Sequence, residues 1–313
     1  MQRKQKFIFF ICLFAIVHVI LYFGVITLNK TKNDVTIQFN DYKTSKSNFK
    51  ILFFGDSHVA RSIDVSLIDS SYSLAYFGEN NMMNFYKLKY CLDHHLPKPK
   101  YVIFPCDIIT YTEGYHRYRT NKIFYYSLIP FQEIKNLNKN KVMAYYDYFK
   151  IRLVPYSEWQ YALNIMNTNR QKKADENFAK ITITEQEKDA KRFIQNELLE
   201  GGNKLNFYSE NSLAYLHKTI KLCKDNQIKL VFVKFPLTQT IFNEIKFHVD
   251  SNYITNRPSE KIIQNDTLPI LNFEYLYVKK PELFFDSHHL NTKGKNDFTL
   301  ILKQKLDSLF KIY

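Results

Sequence analysis

Five short apolar runs, separated by longer stretches of helical character, constrain the fold of this chain more than any other feature. Each run has the length of a buried strand, and the intervening stretches include residues 81–95 and 211–227. Repeated alternation of strand and helix predicts an α/β fold, namely a three-layer α/β/α sandwich around a central parallel sheet. The predicted strands are residues 50–54, 73–77, 101–105, 229–235 and 268–273.

A run of 22 uncharged residues, from Phe7 to Leu28, lies near the N-terminus. A helix of this length crosses a bilayer core of about 30 Å, so the run predicts a single transmembrane anchor. Arg3, Lys4 and Lys6 precede it, which predicts a cytoplasmic N-terminus and an extracytoplasmic domain at a bacterial inner or cytoplasmic membrane. A cleaved signal peptide is the alternative, but the length of the run and the bulky residues 22–25 favour an anchor.

The remaining chain divides into a short linker and one large domain. Residues 1–28 are predicted to be a cytoplasmic tail and anchor, the polar residues 29–48 a stalk, and residues 49–313 a single domain. An insertion at about 112–208 interrupts the rhythm of strands and helices, and its position after the third strand predicts a lid over the carboxyl edge of the sheet. Its aromatic residues fit packing within a helical cap better than a sugar-binding wall. They include Tyr115, Tyr118, Tyr125, Tyr126, Tyr145, Tyr146, Tyr148 and Trp159.

The formal net charge of +14 raises the question of an acidic partner. Nucleic acid is not expected, because the domain is predicted to lie outside the cytoplasm and contains no helix-turn-helix, zinc-finger or RNA-binding pattern. A basic surface would attract an anionic polysaccharide or cell-wall polymer. A compositional bias toward Lys, Asn, Ile, Tyr and Phe explains the charge equally well.

Cysteine and histidine spacing gives no expectation of a metal or another cofactor. Cys91, Cys106 and Cys223 fall in predicted core elements and are interpreted as buried apolar residues. The histidine pairs 94–95 and 288–289 are adjacent in sequence, a spacing expected to point the two side chains apart. The sequence also contains no Cys-x-x-Cys or His-Glu-x-x-His pattern.

Two polar motifs at opposite ends of the domain predict nucleophilic catalysis. Gly55-Asp56-Ser57 directly follows the first apolar run, and Asp286 and His289 lie near the C-terminus. A serine hydroxyl becomes an effective nucleophile when a histidine takes its proton, and a carboxylate then fixes the tautomer of that histidine. The spacing of three residues allows Asp286 to meet Nδ1 of His289 and leaves Nε2 for Ser57. His288 is the alternative base.

These motifs resemble those of the SGNH/GDSL hydrolase superfamily, whose first block is Gly-Asp-Ser and whose last is Asp-x-x-His near the C-terminus. The resemblance covers residues 50–310 and implies a flavodoxin-like sandwich with Ser57, Asp286 and His289 as the catalytic triad. It also implies an oxyanion hole made by the backbone N–H groups of Ser57 and Gly78. The third block, usually an asparagine in a Gly-x-Asn-Asp turn, is replaced here by Pro105-Cys106-Asp107.

The missing third block leaves the side-chain donor of the oxyanion hole open. Either the donor is lost, or Asn80 or Asn81 beside Gly78 takes its place; Asn80 is the preferred candidate.

Within the superfamily, the chain looks most like membrane-tethered proteins of lipoteichoic acid D-alanylation and alginate O-acetylation, which act beside a polytopic membrane acyltransferase. That resemblance implies transfer of an acyl group through an ester of Ser57 to a hydroxyl of a cell-surface or exported polysaccharide. A carbohydrate acetylesterase or lipase-like hydrolase of the same fold is the first alternative. A non-catalytic glycan-binding assembly subunit is the second.

Overall fold

The predicted α/β fold is confirmed by a computed structural model of the chain. The structure describes residues 2–32, 34–45, 48–116, 122–136, 140–154, 182–199, 209–249, 254 and 256–312. Within them, a five-stranded parallel sheet has the order β2-β1-β3-β4-β5. The strands are β1 (Ile51–Phe53), β2 (Ser71–Ser73), β3 (Tyr101–Pro105), β4 (Lys229–Lys234) and β5 (Ile270–Asn272).

Helices and short helical turns connect these strands. In chain order the α-helices are α1 (Gln2–Lys32), α2 (Asp34–Thr44), α3 (Ser57–Ser62), α4 (Asn81–Asp93), α5 (Glu113–His116), α6 (Lys122–Leu128), α7 (Lys141–Leu153), α8 (Ile183–Phe193), α9 (Glu210–Asp225), α10 (Gln239–His248), α11 (Pro258–Asn265) and α12 (Thr292–Ile312). Short 3₁₀ helices cover Val65–Leu67, Phe131–Asn136 and Pro281–Leu283, and a π-helical turn covers Ile194–Leu198.

Side chains on both faces of the sheet are buried, so other parts of the protein cover each face. On one face, alternate strand residues and apolar residues of α12 form a single hydrophobic core. The strand residues on the opposite face are also buried. The first set contains Ile51, Phe53, Ile103, Val231 and Val233 with Phe298, Leu302 and Leu306 of α12; the second contains Leu52, Val102, Leu230 and Phe232.

The second strand begins and ends earlier than the apolar pattern predicts. Strand β2 pairs Ser71 with Ile51 and Ser73 with Phe53, whereas the prediction placed the strand at residues 73–77. Leu74 and Ala75 are buried although they follow the strand. Their apolar character therefore reflects burial in the connection to α4, and the pattern alone could not distinguish that from burial in a strand.

Part of the predicted stalk is helical. Helix α2 covers residues 34–44, and its residues Val35, Phe39 and Tyr42 are buried. They recur at intervals of four and three, which is the period of one helical face. The polar composition of residues 29–48 concealed this short apolar stripe.

The described chain forms two compact units. One contains Met1–Asp41 and Asn121–Asp175, and the other contains Tyr42–Thr120 and Glu176–Tyr313. The sheet and both predicted catalytic motifs belong to the second unit.

One helix among the described residues is long and apolar enough to cross a membrane. The segment Arg3–Thr27 of α1 has 25 residues, and its most apolar part has a mean hydropathy of 2.7 and is not buried. A signal sequence near an N-terminus has the same properties, so α1 is a candidate for either.

The described part of the insertion is helical, and several of its aromatic side chains contact one another. In the first unit the ring of Phe131 lies 4.8 Å from that of Tyr145 and 5.2 Å from that of Tyr148. These aromatic side chains pack on one another within the first unit, and the role of the insertion as a lid stays a prediction. Tyr118 and Trp159 lie outside the described residues.

We predict that Gly294→Ala destabilises the protein. A Cβ atom at this position would lie 2.2 Å from the backbone oxygen of Leu283, so the start of α12 and the residues beside it would have to separate. Overpacking of this kind costs more than the helix gains from alanine, and we expect a net loss of about 1–2 kcal/mol in the free energy of unfolding. Denaturant unfolding of the detergent-solubilised chain measures it.

Lys293→Ala is the matched control, because Lys293 is exposed in the same helical turn. Its effect should stay within about 0.5 kcal/mol. Equal stability of Gly294→Ala and the wild type would show that the short distance between Gly294 and the backbone oxygen of Leu283 does not constrain this turn.

Candidate active site

Ser57 lies at the carboxyl end of β1, where the chain turns into α3. Gly55 adopts φ +145°, and a Cβ there would lie 2.3 Å from Cγ2 of Val59, so the turn requires glycine. Asp56 is the N-cap of α3, and its carboxylate accepts the backbone N–H of His58 at 2.8 Å. The turn therefore places Ser57 at the first position of the helix.

The motif that contains Asp286 and His289 forms a closed loop. Phe284 and Leu290 make an antiparallel bridge, and the N–H of Phe285 donates to the carbonyl of His289 at 2.8 Å. Inside the loop, Oδ1 of Asp286 accepts the backbone N–H groups of residues 288 and 289 at 2.9 and 2.7 Å. The three-residue spacing allowed the contact between Asp286 and His289, and these side-chain hydrogen bonds produce it without a helix.

The structure brings Ser57, His289 and Asp286 together in the predicted order. Nε2 of His289 lies 2.8 Å from Oγ of Ser57, and Nδ1 lies 2.7 Å from Oδ2 of Asp286. Both contacts are within hydrogen-bonding distance although 232 residues separate the serine from the histidine.

Asp286 remains ionised in this environment. Burial raises the pKa of Asp286, but attraction to His288 and His289 and the hydrogen bonds from both residues hold it well below its usual range. An ionised carboxylate accepts the Nδ1 proton of His289, so the lone pair of Nε2 faces Ser57.

His288, the alternative base, faces other groups. Its Nδ1 lies 3.0 Å from Oγ of Ser287, and its ring stacks on Phe193 at 4.0 Å. Burial and the neighbouring His289 hold the pKa of His288 well below its usual range. Among the described residues, the imidazole that contacts Ser57 is that of His289.

The residues predicted for the oxyanion hole occupy the connection between β2 and α4. Gly78 has φ +70°, a left-handed conformation that favours glycine. Asn80 is the N-cap of α4, and its Oδ1 accepts the N–H of Met83 at 3.0 Å. The contribution of Gly78 and Asn80 to an oxyanion hole stays a prediction.

Asn81 has a different environment from the one its position suggested. Its Nδ2 donates to the carbonyl of Thr110 at 3.3 Å and to Oγ of Ser212 at 2.5 Å. Both amide hydrogens are therefore used within the protein, which argues against Asn81 as the missing donor.

Helix α8, at the end of the insertion, supports the loop that carries His289. Oδ2 of Asp189 accepts the backbone N–H of Ser287 at 3.1 Å and its hydroxyl at 2.7 Å. Nε2 of Gln186 donates to the carbonyl of Pro281 at 3.1 Å. The sequence predicted a lid for this segment and indicated neither Asp189 nor Gln186.

A second histidine–aspartate pair lies beside the first. Nδ1 of His58 is 3.3 Å from Oδ2 of Asp107, and both side chains are fully buried. Oδ1 of Asp107 accepts the N–H of Ile109 at 3.1 Å and the hydroxyl of Thr110 at 2.9 Å. Asp107 follows β3, where the superfamily resemblance leads one to expect the asparagine of the third block, and here its side chain orients a histidine.

The charges of this pair stabilise each other. Burial lowers the pKa of His58, but attraction to Asp107 and Asp56 raises it to about 9. Burial raises the pKa of Asp107, but His58 and the hydrogen bonds of Thr110 and Ile109 keep it below its usual value. Nε2 of His58 is buried without a hydrogen-bond partner among the described residues.

The two adjacent histidines of the second motif do not point apart. The ring centroids of His288 and His289 are 4.0 Å apart, and each lies 5.4 Å from that of His58. The expectation from sequence spacing was therefore wrong, because the loop around Asp286 is not a regular strand or helix in which neighbouring side chains diverge.

Arg61 of α3 lies between two aromatic rings near this loop. Its guanidinium carbon is 5.2 Å from the ring centroid of Phe77 and 4.9 Å from that of Phe285. These are cation–π distances, and they connect the residue before Gly78 with the residue before Asp286.

Comparison of the chain with protein-family models and with curated proteins gives no match. Among solved structures it is similar to a candidate acylhydrolase from Bacteroides fragilis, with 11% identity and a TM-score of 0.42 over 89% of this chain and 97% of that one. It is also similar to a GDSL-like lipase from Bacteroides thetaiotaomicron, with 11% identity and a TM-score of 0.41 over 90% and 99% of the two chains. At these TM-scores, the chemical interpretation of the site depends on its own geometry.

Proposed function

We propose that this protein is a serine-dependent acyl-transferring enzyme of the SGNH/GDSL type. The observation that carries the proposal is the continuous contact from Oγ of Ser57 through the imidazole of His289 to the carboxylate of Asp286. Three side chains in this order supply a nucleophile, a general base and the group that orients the base.

The geometry supports a two-step reaction. Nε2 of His289 accepts the proton of Ser57 as Oγ attacks the acyl carbon, and the backbone N–H groups of Ser57 and Gly78 stabilise the oxyanion. When the tetrahedral intermediate collapses, His289 returns the proton to the leaving group and the acyl group stays on Ser57. An acceptor hydroxyl then gives its proton to His289, attacks the ester and regenerates the serine.

The acceptor distinguishes an esterase from a transferase, since water or a sugar hydroxyl attacks the same acyl-enzyme. We favour a transferase that is anchored by α1 and acts outside the cytoplasm on a cell-surface or exported polysaccharide. A candidate membrane helix supports the anchored form of this proposal. A polytopic membrane acyltransferase is the partner that would supply the acyl group.

A carbohydrate esterase is the second candidate, and the same triad supports it. The triad also argues against a purely structural glycan-binding subunit, because that role does not require a serine, a histidine and a carboxylate in hydrogen-bonding contact.

We predict that Ser57→Ala abolishes labelling by a serine-directed fluorophosphonate and that His289→Ala loses nearly as much. Both changes remove one member of a unit, so turnover of a chromogenic acetyl ester should fall by about 10⁴-fold in each. Asp286→Asn should also be strongly impaired because the His289 tautomer is no longer fixed.

Ser66→Ala and His288→Ala are the controls. Ser66 is an exposed serine, and His288 is the adjacent imidazole that does not contact Ser57. Full labelling of Ser57→Ala, or an inactive His288→Ala beside an active His289→Ala, would contradict the assignment.

We predict that an oligosaccharide acceptor diverts the acyl group from water to sugar. A positioned hydroxyl can compete with roughly 55 M water only if the enzyme holds it near the acyl-enzyme. The assay follows released acid and acylated sugar together, and both products should be lost in Ser57→Ala, whereas the exposed change Ser66→Ala should leave both unchanged.

Release of acid at an unchanged rate without any acylated sugar would identify an esterase. If acylated sugar forms equally with Ser57→Ala, the reaction does not use this site.

We predict that the C-terminal domain is extracytoplasmic and attached to the membrane. A reporter that is active only outside the cytoplasm, fused after Tyr313, should be active, and the protein should resist alkaline extraction because α1 stays in the bilayer. A shortened chain in the soluble fraction would instead identify α1 as a cleaved signal.

A further inference from the structure

Three imidazoles form a cluster beside the proposed nucleophile: His58, His288 and His289, called here the histidine cluster. One ring nitrogen from each lies within 4.8 Å of the ring nitrogens of the other two. His58 comes from α3, and the other two come from the loop after the 3₁₀ helix Pro281–Leu283. The cluster thus joins two separate parts of the chain.

Two of these rings have the same hydrogen-bonding arrangement. Nδ1 of His58 faces the carboxylate of Asp107 at 3.3 Å, and Nδ1 of His289 faces the carboxylate of Asp286 at 2.7 Å. A carboxylate accepts hydrogen bonds, so each Nδ1 carries a proton. A metal-binding lone pair can then be supplied only by Nε2 in either residue.

The third ring, that of His288, also carries its proton on Nδ1, although its hydrogen-bond partner is a hydroxyl and not a carboxylate. The hydroxyl of Ser287 donates to Oδ2 of Asp189 at 2.7 Å, and so it accepts from Nδ1 of His288 at 3.0 Å. No described residue forms a hydrogen bond with Nε2 of His288. All three rings therefore direct an Nδ1–H at an oxygen and keep Nε2 as the remaining ligand atom.

This arrangement matches the surroundings of metal-binding histidines. Such histidines usually donate the second ring N–H to a carboxylate or another oxygen, which fixes the ring and increases the basicity of the ligating nitrogen. Three histidines are a known ligand set for Zn²⁺, with Zn–N distances of about 2.0–2.1 Å. Nitrogens around such an ion lie roughly 3.4 Å apart, and one nitrogen from each ring already lies within 4.8 Å of one from each of the other two, so a modest movement of the rings would bring them to ligating distance.

An independent observation points to a ligand at the same place. Nε2 of His58 is buried and has no hydrogen-bond partner among the described residues, although the side chain is almost completely enclosed. Buried polar atoms are nearly always satisfied. A proton on this nitrogen has no acceptor, and a metal ion would displace that proton into solvent and use the lone pair of Nε2 instead.

We propose that the histidine cluster binds one divalent transition-metal ion of the Zn²⁺ class, and that the bound ion holds Ser57 inactive. The ion takes the lone pair of Nε2 of His289, which otherwise accepts the proton of Ser57. Binding itself is independent of the proposed function, whereas the inactivation of Ser57 rests on it. Removal of the ion restores the base without any covalent change.

The test is titration of the detergent-solubilised full chain with Co²⁺, followed by visible absorption, and then displacement with Zn²⁺. We expect one equivalent to bind with the strong absorption of a tetrahedral site. His58→Gln should abolish that signal. Asp107→Asn should weaken binding at least tenfold, because an asparagine amide donates to Nδ1 of His58 and moves the imidazole proton to Nε2.

Asp107→Asn keeps the test valid if His58→Gln fails to fold. The asparagine oxygen still accepts the hydrogen bonds from Ile109 and Thr110, so this variant should retain the local structure. His217→Gln, an exposed histidine change on α9, should bind as the wild type does. Ser57→Ala should also bind, since the serine is not a ligand. Unchanged Co²⁺ binding in both His58→Gln and Asp107→Asn, or the absence of tetrahedral absorption in the wild type, overturns the proposal.

Fluorophosphonate labelling gives the functional part of the test. Labelling of Ser57 should fall with Zn²⁺ occupancy in the wild type and recover with a chelator, and the ratio of labelling with and without Zn²⁺ should return toward one in Asp107→Asn. If no variant is labelled under any condition, the proposed acyl transfer is wrong, while the Co²⁺ spectrum still reports the metal site. If labelling continues at full Zn²⁺ occupancy, the inactivation is wrong.

Discussion

The carboxylate of Asp286 shapes the loop that contains it and orients the imidazole that the loop carries. One oxygen accepts two backbone N–H groups, and the other faces Nδ1 of His289. Because a single side chain performs both tasks, the position of the imidazole does not depend on a bound substrate. The pKa of Asp286 is consistent with this role: charge attraction and hydrogen bonds lower it by more than burial raises it. A neutral amide could accept some of these bonds but could not stabilise an imidazolium.

The sequence predicted the fold well where burial is regular. Strands β1, β3 and β4 coincide with apolar runs to within a residue or two, because parallel strands covered on both faces are apolar throughout. Strand β2 was misplaced because the buried connection after it is as apolar as a strand. Helix α2 was missed because its apolar stripe is only three residues long within a polar segment. Local apolar composition indicates burial, but it does not distinguish a buried strand from a buried connecting segment.

The site was predictable to the extent that its signals are local. Ser57 follows a strand, and Asp286 and His289 are three residues apart, so short motifs identify them. The contact between His58 and Asp107 joins residues 49 positions apart, and that between Asp189 and Ser287 spans 98 positions. Neither pair has a spacing that a single sequence could reveal. The closeness of the two adjacent histidines was equally hidden, because it depends on side-chain hydrogen bonds that replace regular backbone structure.

Helix α8 constrains evolutionary change more strongly at the downstream end of the insertion than at the upstream end. Its first residues are ordered by a reciprocal cap between Thr182 and Glu185, which does not require any particular residue before Thr182. Beyond that cap, Asp189 holds the loop of the proposed catalytic histidine. Insertions and deletions between residues 121 and 175 thus fall in a separate compact unit, whereas a single-residue shift within α8 would rotate Asp189 away from Ser287. Lineages that diversify this insertion should therefore vary its length upstream of Thr182 and retain the register of the helix downstream.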